Sequence, residues 1–246
     1  MVRSFPAGHL KSEEQRYASA RKVLALLWTY FKPTSVVDFG CGLGHWLEVC
    51  ASNGVQEYHG YDGHHVDVKN LKIPELCFTQ CNLEEYIEPF TKYDLAMSIE
   101  VGEHLAASSA DNFVRSIVCS ADVVLFSAAA PLQGGTSHVN EQPPSCWADL
   151  FLSFGYVCFD IFRKPLWNDP SVNCVHAQNI LLYARNDKKF IFENQGLSSV
   201  VSPDLIYHPA LYISRMNEFG CGEHGSKLVR SLKKRWKYVR HTFFAN

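Results

Sequence analysis

The stretch that decides the fold runs from Val36 to Trp46 and reads VVDFGCGLGHW. Two β-branched residues lead into Asp38, and a helix-compatible segment follows. Between them three glycines alternate with other residues, at Gly40, Gly42 and Gly44. Glycine permits backbone angles that are closed to other residues and lets a ligand approach the main chain. The stretch therefore predicts a strand, a tight glycine turn and the start of a helix.

The glycine turn also separates two kinds of nucleotide site. The dinucleotide fingerprint GxGxxG would place glycine at position 45, where the chain has His45, so a nicotinamide site is not favoured. An acid two residues before a GxGxG turn instead resembles motif I of class I S-adenosylmethionine (SAM) dependent methyltransferases. The resemblance implies that Asp38 and the three glycines hold the methionine end of SAM.

Length and composition favour one α/β domain with appendages. The chain has 246 residues, of which 47% are hydrophobic, enough for one substantial core. Its nine cysteines form no CxxC pairs and lie in or beside apolar runs, so we interpret them as reduced core residues of a cytoplasmic protein. The longest early apolar run is too short to span a membrane, and no targeting segment is evident.

Hydrophobic periodicity predicts alternating strands and helices, which is typical of a doubly wound, Rossmann-like parallel sheet. The methyltransferase resemblance implies seven strands, of which the last is antiparallel. The predicted strands cover residues 35–40, 57–61, 77–80, 93–99, 121–127, 156–162 and 176–184. The predicted helices cover residues 11–31, 45–53, 110–120 and 147–154. We predict an N-terminal helix segment (1–34), a SAM-binding core (35–188) and a helical C-terminal extension (189–246).

Polar residues follow the predicted strands at the sheet edge where ligands bind in such folds. Asp62 ends the second strand, at a spacing that suits contact with ribose hydroxyls. Asn82 follows the third strand, and the resemblance implies a contact with adenine; the alternative is an ordinary loop residue. Glu100 ends the fourth strand and is predicted to line the cofactor site as well.

The fourth strand runs into Ser98–Leu105, SIEVGEHL, and the segment His138–Gln142 reads HVNEQ. This ExxEH run and the later histidine loop resemble a branch that includes ubiquinone-biosynthesis O-methyltransferases and small-RNA 3′-end methyltransferases. In the small-RNA enzymes the matching residues hold a divalent metal. The resemblance implies the same set here: Glu100, Glu103, His104 and His138.

The chemistry of these residues leaves three interpretations open. Spacing of i, i+3 and i+4 would let one helical turn converge Glu100, Glu103 and His104, and carboxylates with imidazoles suit Mg²⁺ or Mn²⁺. Without metal, His104 or His138 would act as general base, with Glu103 beside them. In the third interpretation the glutamates only cap a helix and His104 packs. The glycine-containing loop 128–136 leaves room for substrate, or is an ordinary turn.

The end of the chain is basic and the rest is acidic. From Lys227 onward there are seven Lys or Arg residues and no Asp or Glu, so the net charge of −2 leaves −9 for the rest. Apolar residues recur there at helical spacing, which predicts a basic amphipathic helix. Such a helix would pack on the core or a second subunit, dock on a partner enzyme, or lie on a membrane surface.

We therefore predict a SAM-dependent O-methyltransferase. Proteins with the EVxEH and HVNEQ arrangement resemble methyltransferases that accompany glycosyltransferases, so a glycan sugar hydroxyl is the first acceptor hypothesis. A 2′-hydroxyl at an RNA 3′ end is the second, although an acidic body offers no evident phosphate track. A non-catalytic SAM-binding subunit is the third, and the intact ExxEH run counts against it.

Overall fold

Seven strands form one sheet in the computed structural model, which describes residues 13–218. In chain order they are β1 Ser35–Phe39, β2 Glu57–Asp62, β3 Phe78–Gln80, β4 Leu95–Ile99, β5 Val123–Ser127, β6 Tyr156–Phe159 and β7 Leu181–Arg185. The spatial order is β3-β2-β1-β4-β5-β7-β6, and β7 runs antiparallel to both of its neighbours. The predicted fold class, with its antiparallel last strand, is confirmed.

Eight α-helices are found in the same part of the chain. They are α1 Glu13–Trp28, α2 His45–Ser52, α3 Ala110–Ser120, α4 Pro144–Ser153, α5 Arg163–Leu166, α6 Cys174–Asn179, α7 Phe190–Glu193 and α8 Pro209–Glu218. None of these helices is both long and apolar enough to cross a membrane. The eight cysteines between residues 13 and 218 are all free thiols.

The chain divides into two compact units, one up to Leu205 and one from Ile206 onward. The described part of the second unit is residues 206–218, including α8. The predicted basic amphipathic helix lies outside the described residues. The division into these three predicted domains stays a prediction.

Alternate residues of the strands face two separate apolar layers. Val36 of β1 and Leu125 of β5 pack in the layer that includes α1 and α2, whereas Val37 and Phe126 pack in the layer that includes α3 and α4. The central strands β4 and β5 therefore bury both faces, which is why their sequences, LAMSI and VVLFS, are almost entirely apolar. Burial on both faces fixes the strand ends, and with them the loops at one edge of the sheet.

One predicted strand is partly wrong. Residues 176–184 were expected to be extended, but α6 occupies Cys174–Asn179 and β7 begins only at Leu181. Asn173 caps this helix, because its side-chain oxygen accepts a hydrogen bond from the Val175 amide at 3.1 Å. His176 is buried against the Trp46 ring, at 5.5 Å between ring centroids. The apolar run from Cys174 therefore contains a short buried helix and a strand, which periodicity alone does not separate.

The glycine turn after β1 is held against the segment that follows β4. Gly40 has φ +86°, and a Cβ placed there would lie 2.2 Å from a methyl carbon of Val101. Its amide also donates to the carbonyl of Tyr61 in β2, at 2.7 Å. Glycine is required at position 40 for both reasons, left-handed backbone and close side-chain contact. The two motifs found in the sequence thus touch each other.

Replacing this glycine tests the contact. Gly54 also has a left-handed φ, +94°, but a Cβ there would meet no described atom within 4 Å, so it is the matched control. We expect Gly54→Ala to lower the free energy of unfolding by about 1–2 kcal/mol through backbone strain. Gly40→Ala should cost about 1–3 kcal/mol more through overpacking. Urea denaturation measures both.

The double variant Gly40→Ala/Val101→Ala completes this test. Removing the Val101 methyl groups should recover part of the additional loss, because space then exists for the new Cβ. Equal losses in Gly40→Ala and Gly54→Ala would show that the contact with Val101 is unimportant.

Candidate active site

The site forms where β1 and β4 lie side by side. The crossover after β1 leads to β2 on one side of β1, and later connections lead to β4 and β5 on the other side. This reversal opens a crevice beyond the carboxyl ends of the two strands, which is where ligands bind in open α/β sheets. The glycine turn after β1 and the ExxEH segment after β4 both border this crevice.

Asp62, at the end of β2, faces the glycine turn. Its two carboxylate oxygens accept hydrogen bonds from the backbone amides of Gly42 and Gly63, each at 2.6 Å, and His65 Nε2 lies 3.4 Å away. Burial raises the pKa of Asp62, and the two amide hydrogen bonds oppose that shift. The carboxylate is therefore fixed beside the turn, as its predicted ribose contact requires.

Space for a ligand exists at the turn itself. A Cβ on Gly42, where φ is +56°, would meet none of the described atoms within 4 Å. Asp38 lies beneath the turn and is buried, and its Oδ1 has no hydrogen-bond partner within residues 13–218. Burial, with a smaller contribution from the Asp62 charge, holds the pKa of Asp38 well above its usual range. An open main chain above an unsatisfied carboxyl group fits a ligand that brings hydrogen-bond donors.

Asn82 does not point its amide at this space. Its side-chain oxygen accepts from the Glu84 amide at 3.1 Å, and its side-chain nitrogen donates to Glu85 at 2.9 Å. Asn82 is exposed and closes its own turn. The adenine contact stays a prediction, and it would require these local hydrogen bonds to be exchanged.

Glu100 departs from the predicted helical turn. Only Gly102–His104 form a turn, of the 3-10 type, and Glu100 precedes it with φ +56°. Its carboxylate accepts hydrogen bonds from Gln133 Nε2 at 3.0 Å and from Asn179 Nδ2 at 3.0 and 3.3 Å. The expected convergence of three residues through one helical turn is therefore wrong. The amides take most of the acceptor capacity of this carboxylate.

Three of the four predicted metal-binding residues do come together. One ligand atom from each of Glu103, His104 and His138 lies within 4.8 Å of the others. The two imidazole rings meet edge to face, with centroids 4.8 Å apart. Burial, and then the proximity of His138, lower the pKa of His104. The approach of two imidazoles to one carboxyl group gives an acid–base or metal-binding cluster.

Glu103 is the buried member of this cluster. It is 1% exposed, and its Oε2 has no hydrogen-bond partner in the described part of the chain. Burial, and then the neighbouring Glu100 charge, raise the pKa of Glu103 well above its usual range. A buried carboxyl oxygen beside two imidazoles, with no described partner, could accept a hydrogen bond from a substrate hydroxyl or bind a cation.

The carboxylate of Glu141 orients the His138 ring. Its Nδ1 lies 2.8 Å from Glu141 Oε1, which also accepts from the Gly134 amide. An ionised carboxylate only accepts, so Nδ1 carries the hydrogen, and in the neutral imidazole Nε2 then presents a lone pair. Gly135 leaves the room for this ring, since a Cβ there would lie 2.2 Å from His138 Nε2.

Sequence reasoning missed several residues of the site. They are Gln133, Glu141, Gln178 and Asn179, of which Gln133 and Asn179 bind the Glu100 carboxylate. Glu141 was visible within the HVNEQ segment, three residues after His138. Gln178 and Asn179 fell within a segment predicted to be a strand, so no sequence signal placed them at the site.

Two comparisons bear on the class of this protein. Residues 12–118 match the family model described as a methyltransferase domain. The methyltransferase domain of bacterial CtHen1 is 20% identical, with a TM-score of 0.52 over 69% of this chain and 98% of that one. Magnesium protoporphyrin IX methyltransferase from Synechocystis PCC 6803 is 16% identical, with a TM-score of 0.52 over 70% of this chain and 84% of that one. No curated protein matches significantly.

The structural similarities establish the fold, which is that of class I methyltransferases. The methyltransferase-domain match spans the glycine turn, Asp62 and the ExxEH run, so it includes most of the candidate site. Together they indicate a SAM-dependent methyltransferase.

Titration with Mn²⁺ tests whether the cluster of Glu103, His104 and His138 binds a metal. We expect Glu103→Gln and His138→Ala each to weaken Mn²⁺ binding by about 10- to 100-fold, the range typical of residues in or next to a metal's ligand shell. Gly135→Ala should act like His138→Ala, because the new Cβ displaces the ring, whereas the exposed neighbour Thr136→Ala should not. Titration calorimetry with Mn²⁺ measures these affinities. Unaltered affinity in Glu103→Gln would exclude this cluster as the site.

Proposed function

We propose that the chain transfers the methyl group of SAM to a hydroxyl oxygen of a sugar unit in a glycan. The observation that carries the proposal is the cluster of Glu103, His104 and His138, at the same sheet edge as the glycine turn. A hydroxyl is a weak nucleophile at neutral pH and needs a base or a cation beside it. The cluster offers both options, which favours an oxygen acceptor.

The cofactor side of the proposal rests on the first two strands. Gly40, Gly42, Gly44 and Asp38 would hold the methionine end of SAM, and Asp62 its ribose. SAM, when bound, supplies an electrophilic methyl group on sulfur. Asp62 is suited to the ribose because its carboxylate is already held beside the glycine turn and can accept from two hydroxyl groups. Holding donor and acceptor together supplies much of the rate of such a transfer.

The acceptor side has a base with a defined proton-accepting atom. His138 would take the hydroxyl proton at Nε2 as the oxygen forms its bond to the methyl carbon and the bond from that carbon to sulfur breaks. Glu141, 2.8 Å from Nδ1, would stabilise the imidazolium that forms. General base catalysis of this kind typically contributes about 10²- to 10⁴-fold.

A divalent cation also fits the cluster. The unsatisfied Oε2 of Glu103 and the imidazoles of His104 and His138 are ligands that Mn²⁺ or another first-row ion accepts. A bound cation would lower the pKa of a coordinated hydroxyl. Glu100 would stay outside this ligand set, because the amides of Gln133 and Asn179 already bind its carboxylate.

A sugar acceptor is supported by the surroundings of His138. Leu132 and Val139 lie on the same loop and are 77% and 68% exposed. Exposed apolar side chains on the loop that carries His138 suit a sugar ring, which combines hydroxyl groups with a face of C–H bonds. The ExxEH and HVNEQ segments resemble those of methyltransferases that accompany glycosyltransferases. An RNA acceptor is disfavoured by the net charge of −9 outside the basic end.

The cofactor site is tested by binding of labelled SAM. We expect Asp62→Ala to raise the dissociation constant for SAM about 10- to 100-fold, through loss of hydrogen bonds to a charged group. Asp67→Ala is the matched control, because Asp67 is an exposed acid of the same segment that only caps a turn. Equal affinity in Asp62→Ala and in the unaltered protein would contradict the ribose assignment.

The acceptor is tested by transfer of labelled methyl from SAM into free sugars, glycans and RNA oligonucleotides, with and without Mn²⁺. We expect methyl ether formation on a glycan and a loss of about 10²-fold or more in His138→Ala. Turnover on RNA but not on glycans would reverse the assignment of the acceptor. SAM binding without turnover on any acceptor would favour the non-catalytic subunit. Turnover unaffected by EDTA would leave His138 as the base and exclude the cation.

A further inference from the structure

A group of buried amides surrounds Glu100, and we call Glu100, Gln133, Gln178 and Asn179 the amide cluster. Gln133 donates to Glu100 through Nε2 at 3.0 Å, and its Oε1 accepts from Asn179 at 2.8 Å and from Gln178 at 3.1 Å. Asn179 donates to Glu100 as well, at 3.0 Å. The cluster therefore connects three separate segments: the end of β4, the loop before α4, and the end of α6.

Gln133 is an unusual residue for its place in the chain. It is only 6% exposed although its neighbour Leu132 is 77% exposed, and both Leu132 and Gly134 have φ +65°. A loop turns such a side chain inward, at the cost of a left-handed non-glycine residue, only when buried contacts compensate. The hydrogen bonds of the amide cluster are those contacts.

The same loop carries the histidine of the proposed acceptor site. His138 follows Gln133 by five residues, and the amides of Val139 and Asn140 donate to the Glu103 carbonyl at 2.8 and 3.1 Å. Glu103 belongs to the turn that begins just after Glu100. The loop is thus attached to the segment after β4 at two points, once through Gln133 and once through Val139 and Asn140.

The geometry points to Gln133 and Asn179 as positioning residues. They hold the loop 130–142 in a fixed position relative to Glu100, and His138 and Glu103 therefore face each other. This inference rests on the proposed function for its effect on turnover. Its structural part does not, since the attachment exists in the free protein. Neither amide needs to touch the acceptor or SAM to act in this way.

The exchange of donor and acceptor tests the pairing of Glu100 with Gln133. Glu100→Gln leaves one oxygen to accept from both Gln133 and Asn179, so only one of these two hydrogen bonds can remain and an amide N–H₂ group faces another donor. Gln133→Glu places a carboxylate opposite a carboxylate, so the 3.0 Å hydrogen bond is lost. The double variant E100Q/Q133E restores one donor and one acceptor at the same positions. We expect each single change to lower kcat/KM for the acceptor about 10- to 100-fold through misplacement of His138. The dissociation constant for SAM should change less than kcat/KM.

The double variant should then exceed the activity expected from independent effects by about 5- to 100-fold. Gln195→Leu is the control, since it removes an exposed amide that binds only backbone carbonyls distant in sequence from the site. If the activity of the double variant equals the value expected from the two single changes acting independently, the pairing of Glu100 with Gln133 is overturned. Equal activity of Gln133→Leu, Asn179→Leu and the unaltered protein would overturn the positioning role.

Hydrogen exchange, measured on the protein without an acceptor, tests whether Gln133 and Asn179 hold the loop 130–142 in place. In Gln133→Leu and Asn179→Leu we expect faster exchange of the Val139 and Asn140 amides, with α3 and β5 unchanged, so a general loss of folding is distinguished. Unchanged exchange at Val139 and Asn140 would overturn the inference. If the chain transfers no methyl group, the proposed function fails, while faster exchange at these two amides still supports the positioning of the loop.

Discussion

The close contact between Gly40 and Val101 is the constraint on which the arrangement of this site depends. It fixes the glycine turn after β1 against the residue that separates Glu100 from Gly102, so the segments that serve donor and acceptor cannot move independently. A side chain at position 40 would separate them, and a smaller residue at 101 would leave a void. Methyl transfer requires donor and acceptor atoms to be aligned closely, and packing of backbone against a branched side chain is stiffer than a hydrogen bond between flexible groups.

Four carboxyl groups lie along this sheet edge, and they differ in the hydrogen bonds that they accept. Asp62 is stabilised by backbone amides and Glu100 by side-chain amides, so hydrogen bonds to both oppose the effect of burial on their pKa values. Asp38 and Glu103 each keep a buried oxygen without a described partner, and burial raises their pKa values well above the usual range. The two carboxylates that accept amide hydrogen bonds therefore organise the site. The two carboxyl oxygens without a described partner mark where a ligand would supply the missing interactions.

The sequence was sufficient to predict the sheet, and it singled out Glu103, His104 and His138, which the fold brings together, for identifiable physical reasons. Strands buried on both faces produce apolar runs, and glycines at 40, 42 and 44 mark a turn that few other residues can form. The interaction of Asp62 with the Gly42 amide was not visible, but the position of Asp62 at a strand end was. Spacing failed where the backbone left the expected conformation: the left-handed Glu100 turns its carboxylate toward Asn179, which a helical spacing of i, i+3 and i+4 does not anticipate.

The part that could not be predicted is the part that depends on contacts between distant segments. Gln133 and Asn179 have no local signature, since an amide in a loop and an amide at a helix end are ordinary residues until the fold brings them to the same carboxylate. The position of Asn179 follows from β7 running antiparallel, because this places the helix that precedes it at the edge where the parallel strands end. The direction of the last strand therefore does more than complete the sheet. It places α6 at the site, and so it is the reason why one of the amides that hold Glu100, that of Asn179, comes from a segment almost eighty residues away in sequence.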